Sequence, residues 1–126
     1  MKRILLWLLA ALLCLSLAGC GERGDTSRVR LDRGASETLD REEIRAAMDA
    51  AMAVFRDTRG GETLLRLRYD EAYSLAWVTA NDPEPDDDGT LVLLASYLDA
   101  DGGMHRGVPW VLTRNENGSW NVEDMK

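Results

Sequence analysis

One stretch of helical hydrophobic periodicity constrains the fold of this 126-residue chain more than any other feature. Its apolar residues recur three and four positions apart and form one stripe along a helix: Ile44, Ala47, Met48, Ala51, Met52 and Phe55. The predicted helix starts with the spacing of a capping box, formed by Asp40 and Glu43, and with that of a hydrophobic staple, formed by Leu39 and Ile44. Two glycines end it. A helix with one apolar face must bury that face, so a second layer has to cover it.

After the two glycines the hydrophobic residues alternate, which is typical of β-strands. Leu65, Leu67 and Tyr69 lie on one side of this alternation and two arginines lie on the other, which predicts a half-buried strand. Residues 71–80 are ambiguous, because their apolar positions fit either a strand or a short helix. Residues 81–89 hold two prolines and five acidic residues and predict a loop.

Further strands complete the predicted sheet. Residues 91–98 are almost continuously apolar, as in a central buried strand. Trp110 and Trp120 lie on either side of a predicted hairpin turn, and their spacing predicts a cross-strand contact. Pro109 lacks a backbone N–H, so we expect its strand to lie at an edge or to begin there. The whole pattern predicts an α+β domain in which one N-terminal amphipathic helix packs on a four- to five-stranded antiparallel sheet.

Residues 1–19 have the layout of a secretory signal peptide, with a basic start, an apolar run and small residues before Cys20. A membrane-spanning helix needs about 20 apolar residues, and this apolar run is shorter. Its length therefore disfavours the alternative, an anchor helix that is retained in the mature protein. The motif Leu17-Ala18-Gly19-Cys20 resembles the lipobox of bacterial lipoproteins. The resemblance implies cleavage between Gly19 and Cys20 and a thioether-linked lipid on the Cys20 thiol.

The predicted organisation therefore has three parts. Residues 1–19 form the signal peptide, residues 20–38 a flexible spacer with the lipid anchor at Cys20, and residues 39–126 a small α+β domain. The spacer assignment follows from a polar, glycine-containing composition without hydrophobic periodicity. We expect the mature chain to be lipid-anchored at the extracytoplasmic face of the cell membrane.

The charge balance and the few cysteines and histidines argue against several classes of partner and site. The chain carries 22 acidic and 15 basic residues, a formal net charge of −7, and loss of Lys2 and Arg3 with the signal peptide would bring it to −9. An acidic surface argues against a nucleic-acid partner, which needs a positive footprint. Cys14 would leave with the signal peptide and Cys20 would carry the lipid, while His105 is the only histidine. We therefore expect no disulfide, no transition-metal site and no cofactor.

Short motifs follow one another in a characteristic order between residues 40 and 124. They are Glu43-Ile44 with Ala47, Phe55, Tyr69-Asp70-Glu71, Val92-Leu93-Leu94 with Ser96, Trp110-x-Leu112-x-Arg114 and Gly118-x-Trp120-x-Val122-x-Asp124. Together they resemble a family of small exported proteins and lipoproteins of clostridial Gram-positive bacteria. The resemblance implies export and implies no activity.

Two acidic segments and one histidine are the candidate chemical sites. Asp99 and Asp101 precede two glycines and begin like a calcium loop, but the distal bidentate glutamate of an EF-hand does not follow, so we interpret this segment as a turn. We interpret the acidic residues of 82–88 as a solvated loop with nonspecific cation attraction. His105 lacks identifiable partners for a catalytic triad, and no GxSxG turn is present.

The remaining candidate is a pocket of the ketosteroid-isomerase-like type. Asp70 lies beside Tyr69 and Tyr73 in the sequence and is the nearest match to a catalytic carboxylate among aromatic rings. Folds of that type enclose the cavity with several helices, and a sheet covered by one helix leaves little concavity from which water could be excluded. A cystatin-like inhibitor would need a Gln-x-Val-x-Gly hairpin, which is missing. We therefore expect a non-enzymatic binding or interaction module whose partner is an envelope protein or a cell-wall component. A small-molecule-binding or catalytic pocket is the alternative, and a deep pocket beside Asp70 or Trp77 would favour it.

Overall fold

The computed structural model describes residues 23–37, 39–81 and 89–125. The predicted signal peptide, the cleavage site at Gly19 and the lipid attachment at Cys20 lie outside the described residues. The described chain contains two helices and five strands, which confirms the α+β class. They are α1 (Arg41–Thr58), α2 (Glu71–Asn81), β1 (Arg30–Asp32), β2 (Thr63–Tyr69), β3 (Thr90–Leu98), β4 (Met104–Arg114) and β5 (Trp120–Met125). The prediction of a single helix is wrong, because residues 71–81 form a second one.

Helix α1 is the amphipathic helix predicted from the apolar stripe. The Asp40 carboxylate accepts a hydrogen bond from the Glu43 N–H at 2.8 Å, as the capping-box spacing predicts. All six residues of the stripe are buried and share one core with the inner face of the sheet. After the helix ends at Thr58, Gly61 adopts a φ of +80°, a left-handed conformation that turns the chain into β2.

The five strands form one sheet in the order β1-β2-β3-β4-β5. β1 pairs with β2 in parallel, whereas the other three pairs are antiparallel. The prediction of an antiparallel sheet is therefore wrong, and the sheet is mixed. The reason is the connection: α1 carries the chain back along the sheet between β1 and β2, so both strands run in the same direction.

Residues 23–37 pack against the domain, although the sequence assigns them to a spacer. Arg23 forms an ion pair with Asp57 at 2.9 Å, and the Gly24 N–H donates to the carbonyl oxygen of Arg56 at 3.0 Å. The same segment then supplies β1 to the sheet. β1 has only three residues, two of them charged, so hydrophobic periodicity gives no signal for it.

A β-bulge in β2 changes which leucine enters the core. The pairing register with β3 shifts between Leu64 and Arg66. As a result Leu64 is fully buried, whereas Leu65, which simple alternation places in the core, is only half-buried. Leu67 and Tyr69 lie beyond the bulge and are buried as predicted.

Trp110 and Trp120 both lie in the core. The sequence predicts that they are cross-strand partners, and this prediction is wrong. The register places Trp120 opposite Arg114 and Trp110 opposite Met125. The guanidinium of Arg114 lies 4.7 Å from the centroid of the Trp120 ring, a cation–π geometry. The hairpin is therefore stabilised by an arginine–tryptophan contact rather than by two stacked indoles.

Strand β4 lies between β3 and β5 and begins at Met104, so the prediction from Pro109 of a strand that lies at an edge or begins there is wrong. The pairing of β4 with β5 covers only Trp110 to Arg114, and Pro109 precedes that stretch. At Pro109 the strand has a paired neighbour only in β3. The missing N–H of the proline therefore removes no hydrogen bond between β4 and β5.

The ambiguous residues 71–80 belong to helix α2, which packs on the sheet face opposite α1. Val78 of α2 contacts Val92 and Val111 in a small second core. Val92 and Val111 alternate along their strands with residues that face α1, so these two side chains point to the other side of the sheet. The buried Ser74 hydroxyl accepts a hydrogen bond from the Val92 N–H at 3.0 Å and fixes α2 to β3.

Candidate functional site

An open cleft of about 520 Å³ lies at the β1 edge of the sheet. Its walls come from β1, the loop after β1, the first residue of α1 and the middle of β2: Arg30, Leu31, Asp32, Arg33, Gly34, Arg41 and Arg66. Clefts of about 300–1,000 Å³ are large enough for small ligands or single groups of larger ones. Because charged side chains dominate the lining, the cleft suits a charged group rather than an apolar one.

Arg30 and Arg66 lie side by side in this cleft because the parallel register of β1 and β2 pairs them. Like charges directly opposite each other destabilise a sheet. The register is fixed by the next pair, Leu31 with Leu67, whose side chains pack into the core. A shift by one residue would expose those leucines, so the fold keeps Arg30 and Arg66 opposite each other. Such conflicts between local rules and the fold are typical of functional sites.

Among the described residues that line the cleft, Asp32 is the only acidic one. Its Oδ2 accepts a hydrogen bond from the guanidinium of Arg66 at 3.0 Å, and its Oδ1 accepts one from the Gly34 N–H at 3.2 Å. The hydrogen bond from Arg66, followed by that from Gly34, holds the pKa of the Asp32 carboxyl below its ordinary value. Asp32 is therefore ionised at neutral pH and balances one of the arginines.

Gly34 shapes the loop that brings Arg33 and Arg41 to the cleft. Its φ is +59°, and a Cβ atom there would come within 2.6 Å of the Tyr69 carbonyl oxygen. A side chain is thus excluded both by the backbone conformation and by the close approach to the end of β2. The loop can take this path only with glycine at position 34.

The side chains of the other three arginines, Arg30, Arg33 and Arg41, form no ion pair or hydrogen bond within the described parts of the chain. Four arginines and one aspartate give the cleft a formal charge of +3 on a chain whose net charge is −7. Guanidinium groups present planar arrays of donors that match the oxygens of phosphate and carboxylate. The arrangement can therefore bind an oxyanion through side chains that approach it from three elements and a loop.

The segment 99–103, which begins like a calcium loop, is a turn closed by its own aspartate. Oδ1 of Asp99 accepts hydrogen bonds from the N–H groups of Asp101 and Gly103 at 2.9 and 2.8 Å. Oδ2 of Asp99 lies 2.9 Å from Nε2 of His105. Both carboxylate oxygens thus take part in the turn itself.

His105 ties this turn to strand β3. Its ring stacks on the Tyr97 ring, with centroids 4.7 Å apart and 9° between the planes. The hydrogen bond with His105, followed by those from the N–H groups of Gly103 and Asp101, holds the pKa of the Asp99 carboxyl below its ordinary value. These contacts give the histidine a structural role.

Asp70 does not form the aromatic-lined pocket that the alternative function requires. Its Oδ1 accepts a hydrogen bond from the Tyr73 N–H at 3.2 Å at the start of α2, and its Oδ2 lies 3.3 Å from the guanidinium of Arg68. Tyr69 is buried in the α1 core, whereas Tyr73 is 39% exposed. The depression beside Asp70 is lined largely by charged residues.

The acidic side chains of 82–88 lie outside the described residues. In the described ranges, no group of three His, Cys, Asp or Glu side chains could hold a metal ion. Neither of the helices described above is long and apolar enough to cross a membrane.

Sequence reasoning missed the cleft because its arginines come from distant positions. Arg30 and Arg33 precede α1, Arg41 begins it and Arg66 follows it, so only the parallel pairing of β1 with β2 brings them together. One signal was available: the sequence between residues 23 and 41 contains five arginines, although the chain as a whole is acidic.

No protein-family model matches this chain, and searches of curated proteins and of solved structures find no significant similarity. Function therefore has to be inferred from the residues and their geometry.

Proposed function

We propose that this chain is a lipid-anchored interaction module of the cell envelope, which binds its partner without catalysis. The observation that carries the proposal is the arginine-lined cleft, a site with a formal charge of +3 on an acidic chain. Three of its arginines have no partner among the described residues, so their donors are available to a ligand. An envelope protein or a cell-wall component with anionic groups fits such a site.

The packing between α1 and the sheet supports binding rather than catalysis. The Phe55 ring stacks on Trp110 with centroids 5.8 Å apart and meets Tyr97 edge-on at 6.3 Å, so aromatic rings fill the core. Asp70 and His105, the candidate catalytic groups, cap a helix and close a turn. An isomerase-like pocket would need a carboxylate in apolar surroundings, and Asp70 instead lies beside Arg68.

The lipobox supports the anchored location, and the fold adds a distance. Arg23 and Gly24 are fixed to the C-terminal end of α1. The three residue steps from Cys20 to Arg23 span at most about 11 Å. A lipid on Cys20 would therefore hold the domain close to the membrane surface, with the C-terminal end of α1 nearest to the lipid.

The anchor is tested by replacing Cys20 with alanine in the producing cells. The Cys20→Ala chain should incorporate no labelled fatty acid, and it should accumulate as precursor or be released to the medium. Cys14→Ala is the matched control, since it removes the other thiol and should leave lipidation unchanged. Labelled, membrane-bound and processed Cys20→Ala protein would overturn the anchored part of the proposal.

The binding role is tested by cross-linking in the same cells. The wild-type chain and an Arg30→Gln, Arg33→Gln double variant would be compared for covalent capture of envelope material. Arg106→Gln, which removes an exposed arginine outside the cleft lining, is the charge control. We expect capture to fall only in the cleft variant, and equal capture by all three proteins would show that the cleft is not the binding site.

A further inference from the structure

We infer that the arginine-lined cleft binds a phosphate group of an anionic envelope polymer, that is, of a phosphodiester chain outside the membrane. The envelope location rests on the proposed function, whereas the chemistry of the ligand rests on the cleft. Three features select this ligand: the directions from which the arginines approach, the nature of the β1 edge and the acidic balance of the chain.

The arrangement of the arginines favours a tetrahedral oxyanion over a carboxylate. A planar carboxylate is matched by one guanidinium fork. The carboxylate already present in the cleft, that of Asp32, contacts Arg66 alone among the lining arginines, through a single nitrogen, and its other oxygen accepts from the Gly34 N–H. Arg30, Arg33 and Arg41 remain and come from a strand, a loop and a helix start. A phosphate offers oxygens in several directions and can accept donors from all three.

The edge strand itself disfavours an acidic peptide that adds to the sheet. β1 pairs over only three residues, Arg30 to Asp32, and two of them are charged. Short, charged edge strands are a feature by which proteins prevent the addition of another strand. Recognition at this edge therefore relies on side chains rather than on a backbone ladder.

The acidic balance of the chain disfavours a lipid headgroup. A headgroup is part of an anionic membrane surface, and that surface repels a chain whose formal net charge is −7. A polymer that extends away from the membrane can reach the cleft without bringing the acidic surface of the domain against the lipid.

The acidity of the rest of the chain limits how the polymer is held. At physiological ionic strength, salt screens the repulsion between a bound phosphate and acidic residues that lie more than about 8 Å from it. One bound phosphate therefore interacts mainly with the charges of the cleft itself. A long stretch of polymer laid across the domain would meet the overall negative charge instead. The cleft should therefore hold one or a few phosphates, with an affinity that falls steeply as salt is added.

The test uses the full-length chain in a non-ionic detergent and measures its binding to poly(glycerol phosphate). Wild-type protein should bind this polymer, and Arg30→Gln or Arg33→Gln should each weaken binding about tenfold, which corresponds to about 1.4 kcal/mol. Arg30→Lys should recover only part of the loss, because lysine keeps the charge without the fork. Arg106→Gln removes the same charge elsewhere and should leave the affinity within about twofold of wild type.

Each further arm of the experiment decides one element of the inference. Equal weakening by Arg106→Gln and Arg30→Gln would reduce the interaction to nonspecific electrostatics and overturn the site. Tighter, cleft-dependent binding of poly-L-glutamate would assign a carboxylate ligand and overturn the phosphate. Displacement of the polymer by micelles that contain phosphatidylglycerol, at equal phosphate concentration, would assign a lipid headgroup and overturn the polymer.

The failures of the two proposals remain distinguishable. The binding assay is carried out in detergent and does not depend on the lipid at Cys20. If Cys20→Ala proves the anchor wrong while Arg30→Gln still weakens polymer binding, the proposed location fails and the phosphate site stands. If lipidation is found and no phosphodiester polymer binds, the phosphate site fails and the anchored module stands.

Discussion

The ring of Phe55 stacks on the ring of Trp110 with their centroids 5.8 Å apart and 28° between the planes. Neither side chain is exposed, and the contact joins the C-terminal half of α1 to the centre of β4. Aromatic pairs of this kind add about 0.5–1.5 kcal/mol to the free energy gained from burial alone. The pair therefore links α1 to the middle of the sheet.

We predict that Phe55→Ala lowers the free energy of unfolding by about 3–5 kcal/mol, because it leaves a cavity beside Trp110. Urea denaturation of the full-length chain in detergent measures the change. Val54→Ala, at the half-buried neighbouring position outside the core cluster, is the control and should cost far less. A loss below about 1 kcal/mol for Phe55→Ala would contradict the packing described here.

A second prediction concerns the segment that the sequence assigns to a spacer. A Cβ atom on Gly24 would lie 2.4 Å from the Phe55 carbonyl oxygen and 2.7 Å from Cδ1 of its ring. Gly24→Ala should therefore displace residues 23–33 from α1, destabilise the domain by about 1–3 kcal/mol and expose Arg28 and Arg30 to trypsin.

Arg28→Ala is the matched control for this experiment, because Arg28 is an exposed residue of the same segment. It should leave the free energy of unfolding unchanged within about 0.5 kcal/mol. Wild-type resistance to trypsin and wild-type stability in Gly24→Ala would show that residues 23–33 are not packed as the structure has them.

These residues also show which parts of the fold the sequence could predict. The cap at Asp40 and the apolar stripe of α1 depend on neighbours within one or two helical turns, so local spacing was sufficient. The bulge after Leu64 depends on the partner strand β3, and local alternation therefore placed the wrong leucine in the core. Non-local pairing cannot be read from the period of one strand.

The candidate site was missed for the same reason. Arg30 and Arg66 are adjacent only because β1 and β2 are parallel, and a three-residue charged strand carries no periodic signal. The acidic turn at Asp99 is a contrasting case, since its hydrogen bonds join residues at most six positions apart. Its interpretation as a turn therefore followed from the sequence alone.

A third prediction follows from the lowered pKa of Asp99, whose main cause is the hydrogen bond with His105. A carboxyl with a lower pKa in the folded state stabilises the fold at pH values above its unfolded pKa of about 3.9. This contribution decreases as the pH falls through that value towards the folded pKa. Asp99→Asn should therefore be less stable than wild type at about pH 6, and the difference should shrink below about pH 4.

Urea midpoints of wild type and Asp99→Asn, measured side by side from about pH 6 to about pH 3, provide the test. The contributions of the other carboxyl groups to the pH dependence cancel when the stability of one protein is subtracted from that of the other. These groups include Asp32, whose pKa is also lowered. A stability difference that stays constant across this range would mean that the ionisation of Asp99 is not coupled to folding.

The last prediction is that calcium does not bind at residues 99–103. Oδ1 of Asp99 accepts two backbone N–H groups and Oδ2 faces His105, so a cation would have to displace hydrogen bonds that close the turn. A site of extracellular strength, with a Kd of about 10⁻⁴–10⁻³ M, would stabilise the fold by about 1.4–2.7 kcal/mol at about 10 mM calcium. In a domain of this size that would raise the Tm by several degrees.

We expect calcium and magnesium at equal concentration to shift the Tm of the full-length chain by the same small amount, because both only screen its negative charge. Melting curves in each salt, with Asp57→Ala as a control at an exposed acidic position outside the turn, separate screening from binding. A rise specific to calcium that is lost in Asp99→Ala or Asp101→Ala, but kept in Asp57→Ala, would contradict the prediction. The turn would then be a cation site that releases its internal hydrogen bonds to the metal, and the His105 contact would be broken on binding.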